Sequence, residues 1–573
     1  MPAVVVMIVV LGVFALGYRY YSAYLANRVY ALDPAFVTPA HAYEDGIDFV
    51  PTNKHIVFSH HFISVAGAAP IVGPAVAVFW GWLPALLWVV LGTVFAAGVH
   101  DFGAIVVSVR HKAKSIGTLA SEVISTRART LFLLIIFFLI TLVNAVFAVV
   151  IANLFIANPG AVLPVLVTIP LAIGVGQYIY RKRTAALLPS IIALLIVYAC
   201  IPLGLSLPIT VDPVASALGV TPNAVWIVLI FAYAFVTSRL PVWMLLQPRD
   251  YINQQQMLLA LAVILLGVVV GLNTIVAPAV ADVPADSPPW FPLLFVTIAC
   301  GAISGFHSLV SSGTTSKQLK NETDARYVGY LGAVGEGTLA LCSILACTAG
   351  VVATTAEWNG LYPDFATASD GAVGNFVNGV AGLAANLGVP TTVGAVFAAV
   401  VVISFAATTM DTGVRLQRYI VQEIADIVRL RPLARNITAA TLVAVVVPLA
   451  LAMMPGNFAF GTLWQLFGTT NQLTAGLALA VVAVWVTKNS RNPLAVLIPL
   501  AFLLVMTTWA LIINLVQFVQ EDQWLLAPLD VIIFVLAMWL IVEAAVAMRR
   551  AWHGRGTTAV ATEQAENAPS EET

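Results

Sequence analysis

Charge is what this chain has least of. Only 9% of its 573 residues are Asp, Glu, Lys or Arg, while 60% are hydrophobic. A soluble globular domain carries about 25% charged residues. The shortage excludes an ordinary soluble fold and leaves an all-α polytopic membrane protein, with no soluble domain. The net charge of −1 leaves no basic surface for nucleic acid. Cysteine is scarce as well. Cys200, Cys300, Cys342 and Cys347 all fall in apolar stretches without a CxxC pair. They read as small core residues, not as a disulfide framework or a metal cluster. A basic n-region is missing before Ala3–Leu16, so that run is expected to be a retained helix and not a cleaved signal.

What is present is a series of apolar runs. About fifteen reach the length needed to cross a bilayer. Lys and Arg fall in alternate loops, at 111–129, 181–183, 313–326, 412–436 and 488–492, and again at Arg549-Arg550. Loops 208–223, 281–290, 354–390, 455–463 and 520–526 contain neither. Positive charge marks the cytoplasmic side. The N-terminus is therefore expected outside and the C-terminus inside. Four stretches follow: a first helix with a polar cytoplasmic segment over 1–54, a core over 55–454, further C-terminal helices over 455–551, and a disordered tail over 552–573. Phe376 to Leu387 is expected to lie on the outer surface as a short helix. Residues 412–430 read as a basic amphipathic helix on the inner face.

Two of the apolar runs are poor membrane helices. His60-His61-Phe62-Ile63-Ser64-Val65-Ala66-Gly67-Ala68-Ala69-Pro70-Ile71-Val72-Gly73-Pro74 combines two histidines with two prolines and two glycines. Proline removes a backbone donor and glycine loosens the chain. Ser304-Gly305-Phe306-His307-Ser308-Leu309-Val310-Ser311-Ser312-Gly313-Thr314-Thr315-Ser316 echoes it, with His307 preceding Gly313 as His61 precedes Gly67. Broken backbone survives at membrane depth only where protein or a wet cavity surrounds it. Paired interrupted spans in two halves of a chain point to a secondary transporter with a central site. Breaks are expected near 66–74 and 304–316.

Ionisable residues at membrane depth are the next candidates. For substrate contact they are His61, Arg239 and His307, with Gly67, Ala68, Gly73, Ser311, Ser312 and Gly313 at the breaks. For coupling to H+ or Na+ they are Glu336, Asp101, His100, His60, Thr314, Thr315 and Asp411. Each also has a plainer reading. A histidine can be a satisfied core group, Asp101 can pair with the basic loop after it, and Glu336 can pair with His or Arg. Hydroxyls are ordinary packing groups in membrane helices. Arg239 can clamp a carboxylate or snorkel to the inner face. A metal at His60 and His61 has no supporting HExxH or Cys/His spacing, and no other cofactor is indicated. Asn471-Gln472 reads as interhelical hydrogen bonding.

These same residues carry a family resemblance. Pro51-Thr52-Asn53-Lys54, His60-His61-Phe62, Ala66 to Pro74, His100-Asp101-Phe102, Leu240-Pro241-Val242-Trp243 and Gln247-Pro248-Arg249-Asp250-Tyr251 resemble the carbon starvation protein CstA family. So do Ser304 to Ser308, Ser311 to Lys317, Asp411, Arg415, Tyr419, Trp464, Phe467-Gly468 and Asn471-Gln472. The resemblance covers about 50 to 475 and implies a bacterial inner-membrane importer of peptides or pyruvate. It implies coupling to a cation gradient and a LeuT-type inverted repeat, as in the amino acid–polyamine–cation transporters. Arg239 is no part of that signature. In this reading the half-helix N-termini bind the substrate carboxylate. The rivals are an intramembrane metal-dependent enzyme built on His60, His61 and Glu336, and a nutrient sensor that does not transport. Peptide against pyruvate, proton against sodium and the oligomeric state are left open by the residues.

Overall fold

The computed structural model describes residues 1–46, 48–182, 187–241, 243–454 and 460–566, without the side chains of 460–462 and 554–566. Apart from two isolated bridges, the regular secondary structure of the described residues is all helical. Twelve helices are long and apolar enough to span a membrane, and two further pairs pass that test across a bend. Adding the 16-residue helix Ile437–Ala452 gives fifteen, each at a place the apolar runs mark.

The helices that build the site are α1 (Lys54–Val65), α2 (Ala69–Ala77), α3 (Gly98–Arg110), α4 (Thr126–Ala157), α5 (Pro222–Thr237), α6 (Leu246–Gly271), α7 (Trp290–Ile298), α8 (Phe306–Val310), α9 (Leu331–Leu345), α10 (Phe365–Ala385), α11 (Thr391–Ile427) and α12 (Phe460–Lys488). The α1–α2 span is broken at 66–68 and bent by 48°. Asn53 opens α1 by accepting the His55 N–H, and Pro70 stands in the first turn of α2, where its missing N–H costs nothing. Pro74 sits inside α2.

The second broken span runs from α7 to α8. A tight turn at Ala299–Gly301 and non-helical residues to Gly305 separate the two pieces, and Ala299 has φ +40°. The break thus lies at 299–305, N-terminal to most of the expected stretch 304–316. Residues 311–315 remain helical, as one widened π turn. The two halves share an order. A broken span is followed by a continuous span, short helices and a long span: 54–80, 82–110, 116–123 and α4, then 290–318, 326–350, 355–385 and α11. Six spans separate the two broken ones, so they cross in opposite directions. This is a LeuT-type inverted repeat with added helices, as the family resemblance implies.

Two expected surface elements differ. The stretch Phe376 to Leu387 belongs to the buried helix α10. Gly379 and Gly382 let its backbone touch the carbonyls of Ala346 and Gly350, where a Cβ would collide. Residues 412–427 are no separate amphipathic helix. They continue α11, with Gly413, Val414, Gln417 and Arg418 buried. The last helix, Leu526–Glu566, extends past 552 into the stretch expected as a disordered tail, and 567–573 lie outside the described residues.

Candidate functional site

Four buried titratable groups form a line between the halves. Asp101 on α3 binds His100 Nδ1 through Oδ1 at 2.7 Å and His307 Nδ1 through Oδ2 at 2.9 Å. His307, on α8, reaches Glu336 Oε2 on α9 with Nε2 at 3.2 Å, off the line of a hydrogen bond. All four are buried. A carboxylate accepts only, so Asp101 fixes the Nδ1–H form of both imidazoles. Nε2 of His307 then faces Glu336 as lone pair or as N–H. The pair can hold one proton between them without moving a helix. Asp101 therefore faces the two histidines and not the basic loop after α3.

His61 is the nearest neighbour of this line. Its Nδ1 is 2.9 Å from Thr315 Oγ1, and its ring lies over Gly332, where a Cβ would be 2.9 Å from Cδ2. Gly332 and Glu336 are one turn apart on α9, on the same face. Six atoms of these groups are buried without a hydrogen-bond partner among the described residues: His61 Nε2, Ser64 Oγ, His100 Nε2, His307 Nε2, Ser311 Oγ and Glu336 Oε1. Such groups are costly to leave unmade.

The breaks are held by close packing. A Cβ on Gly67 would collide with Thr409 Oγ1 on α11, itself buried and unpartnered. A Cβ on Gly73 would stand 2.5 Å from the carbonyls of Thr297 and Ile298, so Gly73 is where α2 meets α7. Ala68 is fully buried between these two glycines. Asn471 on α12 ties the second break together. Its Oδ1 accepts the Phe306 N–H at 3.1 Å and the Ser304 hydroxyl at 3.2 Å, and its carbonyl accepts the Gly305 N–H at 3.1 Å. The first amide of α8 is thereby taken. The hydrogen-bonding role expected for Asn471-Gln472 holds, Gln472 donating to the Phe295 carbonyl at 2.7 Å.

Other candidates stand apart. Arg239 is exposed and lies over the Phe235 ring, 5.6 Å from its centroid. His60 is 3.6 Å from Asp250 on α6, about 100° around α1 from His61. His60, His61 and Glu336 thus do not converge, and no group of three or more His, Cys, Asp or Glu is gathered to hold a metal among the described residues. Ser312 is a tie, accepting the Ile116 N–H at 3.0 Å and donating to the Ser308 carbonyl at 2.7 Å. Thr314 bonds back to the Val310 carbonyl at 3.1 Å, and Gly313 faces open space.

Asp411 belongs to a second centre. Its Oδ2 is 2.5 Å from Arg249 Nη1 on α6 and accepts the Tyr233 hydroxyl at 3.1 Å; its Oδ1 accepts the Thr237 hydroxyl at 2.9 Å. Arg249 also donates to Thr408 Oγ1 at 3.2 Å, and Asn253 to the same oxygen at 2.6 Å. Beside it, Tyr233, Arg249 and Asn253, with Thr168 and Ser404, are the polar lining of a mostly apolar cavity of about 130 Å³. Sequence reasoning gave Arg249 no role. The available signal was an arginine three residues into an apolar 26-residue helix.

Broken, inverted spans around a line of buried protonatable groups define a membrane transporter, not an enzyme. Comparison with known proteins gives the particular kind. The carbon starvation protein CstA family profile matches residues 2–357 and 350–510. The peptide transporter CstA of Escherichia coli is 33% identical over 87% of this chain and 79% of its own. That of Bacillus subtilis is 32% identical over 89% and 90%. The pyruvate/proton symporter BtsT of Escherichia coli is 31% identical over 87% and 80%. The chain belongs to the carbon starvation protein CstA family. Among solved structures it is similar to a manganese transporter of Eremococcus coleocola, with a TM-score of 0.51 and 12% identity over 89% of this chain and 99% of that one. That likeness concerns the fold alone.

Proposed function

We propose that this protein imports a small carboxylate nutrient, pyruvate or a short peptide, across the bacterial inner membrane by alternating access, driven by protons. The observation that carries the proposal is the buried line His100–Asp101–His307–Glu336, which joins α3, the second broken span and α9. A proton moving between His307 and Glu336 changes the charge of the second broken span relative to α9. At low dielectric such a change alters their attraction strongly. Movement of the broken spans would then expose the group of His61, Ser64, Ser311 and Glu336 to either side in turn. The pyruvate/proton symporter among the relatives supports proton over sodium. The Lys and Arg pattern supports an outer N-terminus and a cytoplasmic C-terminus. Import of carbon compounds by such a route suits scavenging during carbon starvation.

The test is uptake of labelled pyruvate and of a labelled dipeptide by proteoliposomes under a proton gradient, a sodium gradient or neither. Accumulation is expected with the proton gradient alone. Glu336→Gln is expected to abolish accumulation while leaving exchange of substrate across the membrane. Accumulation driven by sodium, or unchanged in Glu336→Gln, would refute the proton line.

A further inference from the structure

Away from this line, the last three spans carry buried acceptors with nothing to accept. Asp530 on the Leu526–Glu566 helix is fully buried, and neither carboxylate oxygen has a donor among the described residues. An isolated carboxylate at membrane depth is expensive unless it is neutralised. Two amide oxygens share its predicament. Asn514 Nδ2 donates to Thr469 Oγ1 at 3.1 Å, which sets the Leu494–Gln520 helix against α12 at this level. Thr469 donates in turn to the Gln465 carbonyl at 2.8 Å. Asn514 Oδ1 and Gln465 Oε1 remain buried without a donor.

The three residues stand at one level. The turn 521–525 returns the chain from Gln520 to Leu526, so Asp530 is placed opposite the end that carries Asn514. Gln465 lies near the start of α12, which is the same end of this antiparallel trio. All three helices pack on one another, and each of the three side chains belongs to a buried stripe. The unsatisfied atoms are four oxygens, from one carboxylate and two neutral amides. An anionic substrate is excluded by charge. A hard monovalent cation, which takes carboxylate and carbonyl oxygens, matches the set in kind and in net charge. We propose that Asp530, Asn514 and Gln465 form a binding site for a monovalent cation, sodium being the first candidate. It is separate from the coupling line and ties the last three spans together.

Binding to the folded state alone raises stability by mass action. The test is thermal unfolding of the purified full chain in nanodiscs, with NaCl exchanged for choline chloride at constant ionic strength. The wild-type midpoint is expected to rise with Na+. Asp530→Asn keeps the shape and removes the charge, and should lose the dependence. Gln465→Leu should weaken the apparent Na+ affinity about tenfold, the loss of one good ligand. Glu336→Gln should leave it unchanged. If Asp530→Asn fails to fold, Asn514→Leu serves in its place. A wild-type midpoint equal in Na+, K+, Li+ and choline overturns the proposal and leaves Asp530 holding a proton. A dependence that survives Asp530→Asn, or vanishes in Glu336→Gln, places the cation elsewhere and overturns it too.

Discussion

Arg110 and Glu322 form a bidentate pair at the C-terminal end of α3, Nε to Oε1 at 2.6 Å and Nη2 to Oε2 at 3.0 Å. The same carboxylate accepts the Asp33 N–H at 2.7 Å, and the same guanidinium donates to the Ala31 carbonyl at 2.8 Å. Thr38 donates to the Lys320 carbonyl, and the Thr52 N–H to that of Gln318. The polar segment around Ala31, Asp33, Thr38 and Thr52 is thus strapped across the C-terminal end of the second broken span. Removing one partner of a buried pair costs about 3–5 kcal/mol, because the other is left uncompensated. Glu322→Ala is expected to lower the unfolding temperature and to speed proteolysis within 30–53. Equal cleavage rates in wild type and variant would show that the pair does not hold the strap.

The Arg249–Asp411 pair makes a different prediction. Both side chains are almost fully buried, at 5% and 1% exposure, and Tyr233 and Thr237 complete the carboxylate's shell. Each single change, Arg249→Met or Asp411→Leu, strands a charge and should cost about 3–5 kcal/mol. The double variant strands none, so it should be more stable than either single one. A double-mutant cycle in thermal unfolding reads the coupling directly. Additive losses would mean that the two charges are neutralised by other groups.

The spans were legible because a bilayer demands about twenty apolar residues and little else produces such runs. The first break was legible from Gly67, Pro70 and Pro74, whose backbone chemistry cannot be hidden. The second was misplaced for a physical reason. The hydroxyls of Ser312, Thr314 and Ser316 each bond back to the carbonyl four residues earlier, which lets them sit in a helix and goes with the widened turn at 311–315, not with a break. The break falls instead where Asn471, distant in sequence, supplies the missing partners. Asp101, His307 and Glu336 were each legible as ionisable groups at depth. Their joining into one line was not, since 206 residues separate Asp101 from His307. Arg249 was legible only as part of the family signature and had no role, because only its pairing with Asp411 distinguishes it from a residue at a helix start.

Two glycines of the broken spans should behave oppositely. A methyl on Gly73 would meet the Thr297 and Ile298 carbonyls at 2.5 Å, and backbone cannot step aside. Overpacking of this kind costs about 1–3 kcal/mol or more. Gly313 has nothing within 4 Å of its missing Cβ. Gly73→Ala is expected to give little folded protein, and Gly313→Ala a wild-type yield and unfolding temperature. Comparable behaviour of the two would show that α2 and α7 are not locked at Gly73.

Asp101→Asn probes the line without disturbing its size. The amide oxygen can still accept from one imidazole, but the NH2 group must face the other, where Nδ1–H now meets a donor. One of His100 and His307 has to turn its ring or switch tautomer. If His307 switches, Nε2 carries the proton permanently toward Glu336 and the shared position is lost. Proton-driven uptake should fall to background while folding and substrate exchange persist, because the group proposed to receive substrate, His61, Ser64 and Ser311, is untouched. A two-dimensional comparison of uptake and exchange across pH separates the outcomes. Loss of both would make Asp101 a structural tie between α3 and α8. Retention of both would show that the proton reaches Glu336 without passing His307.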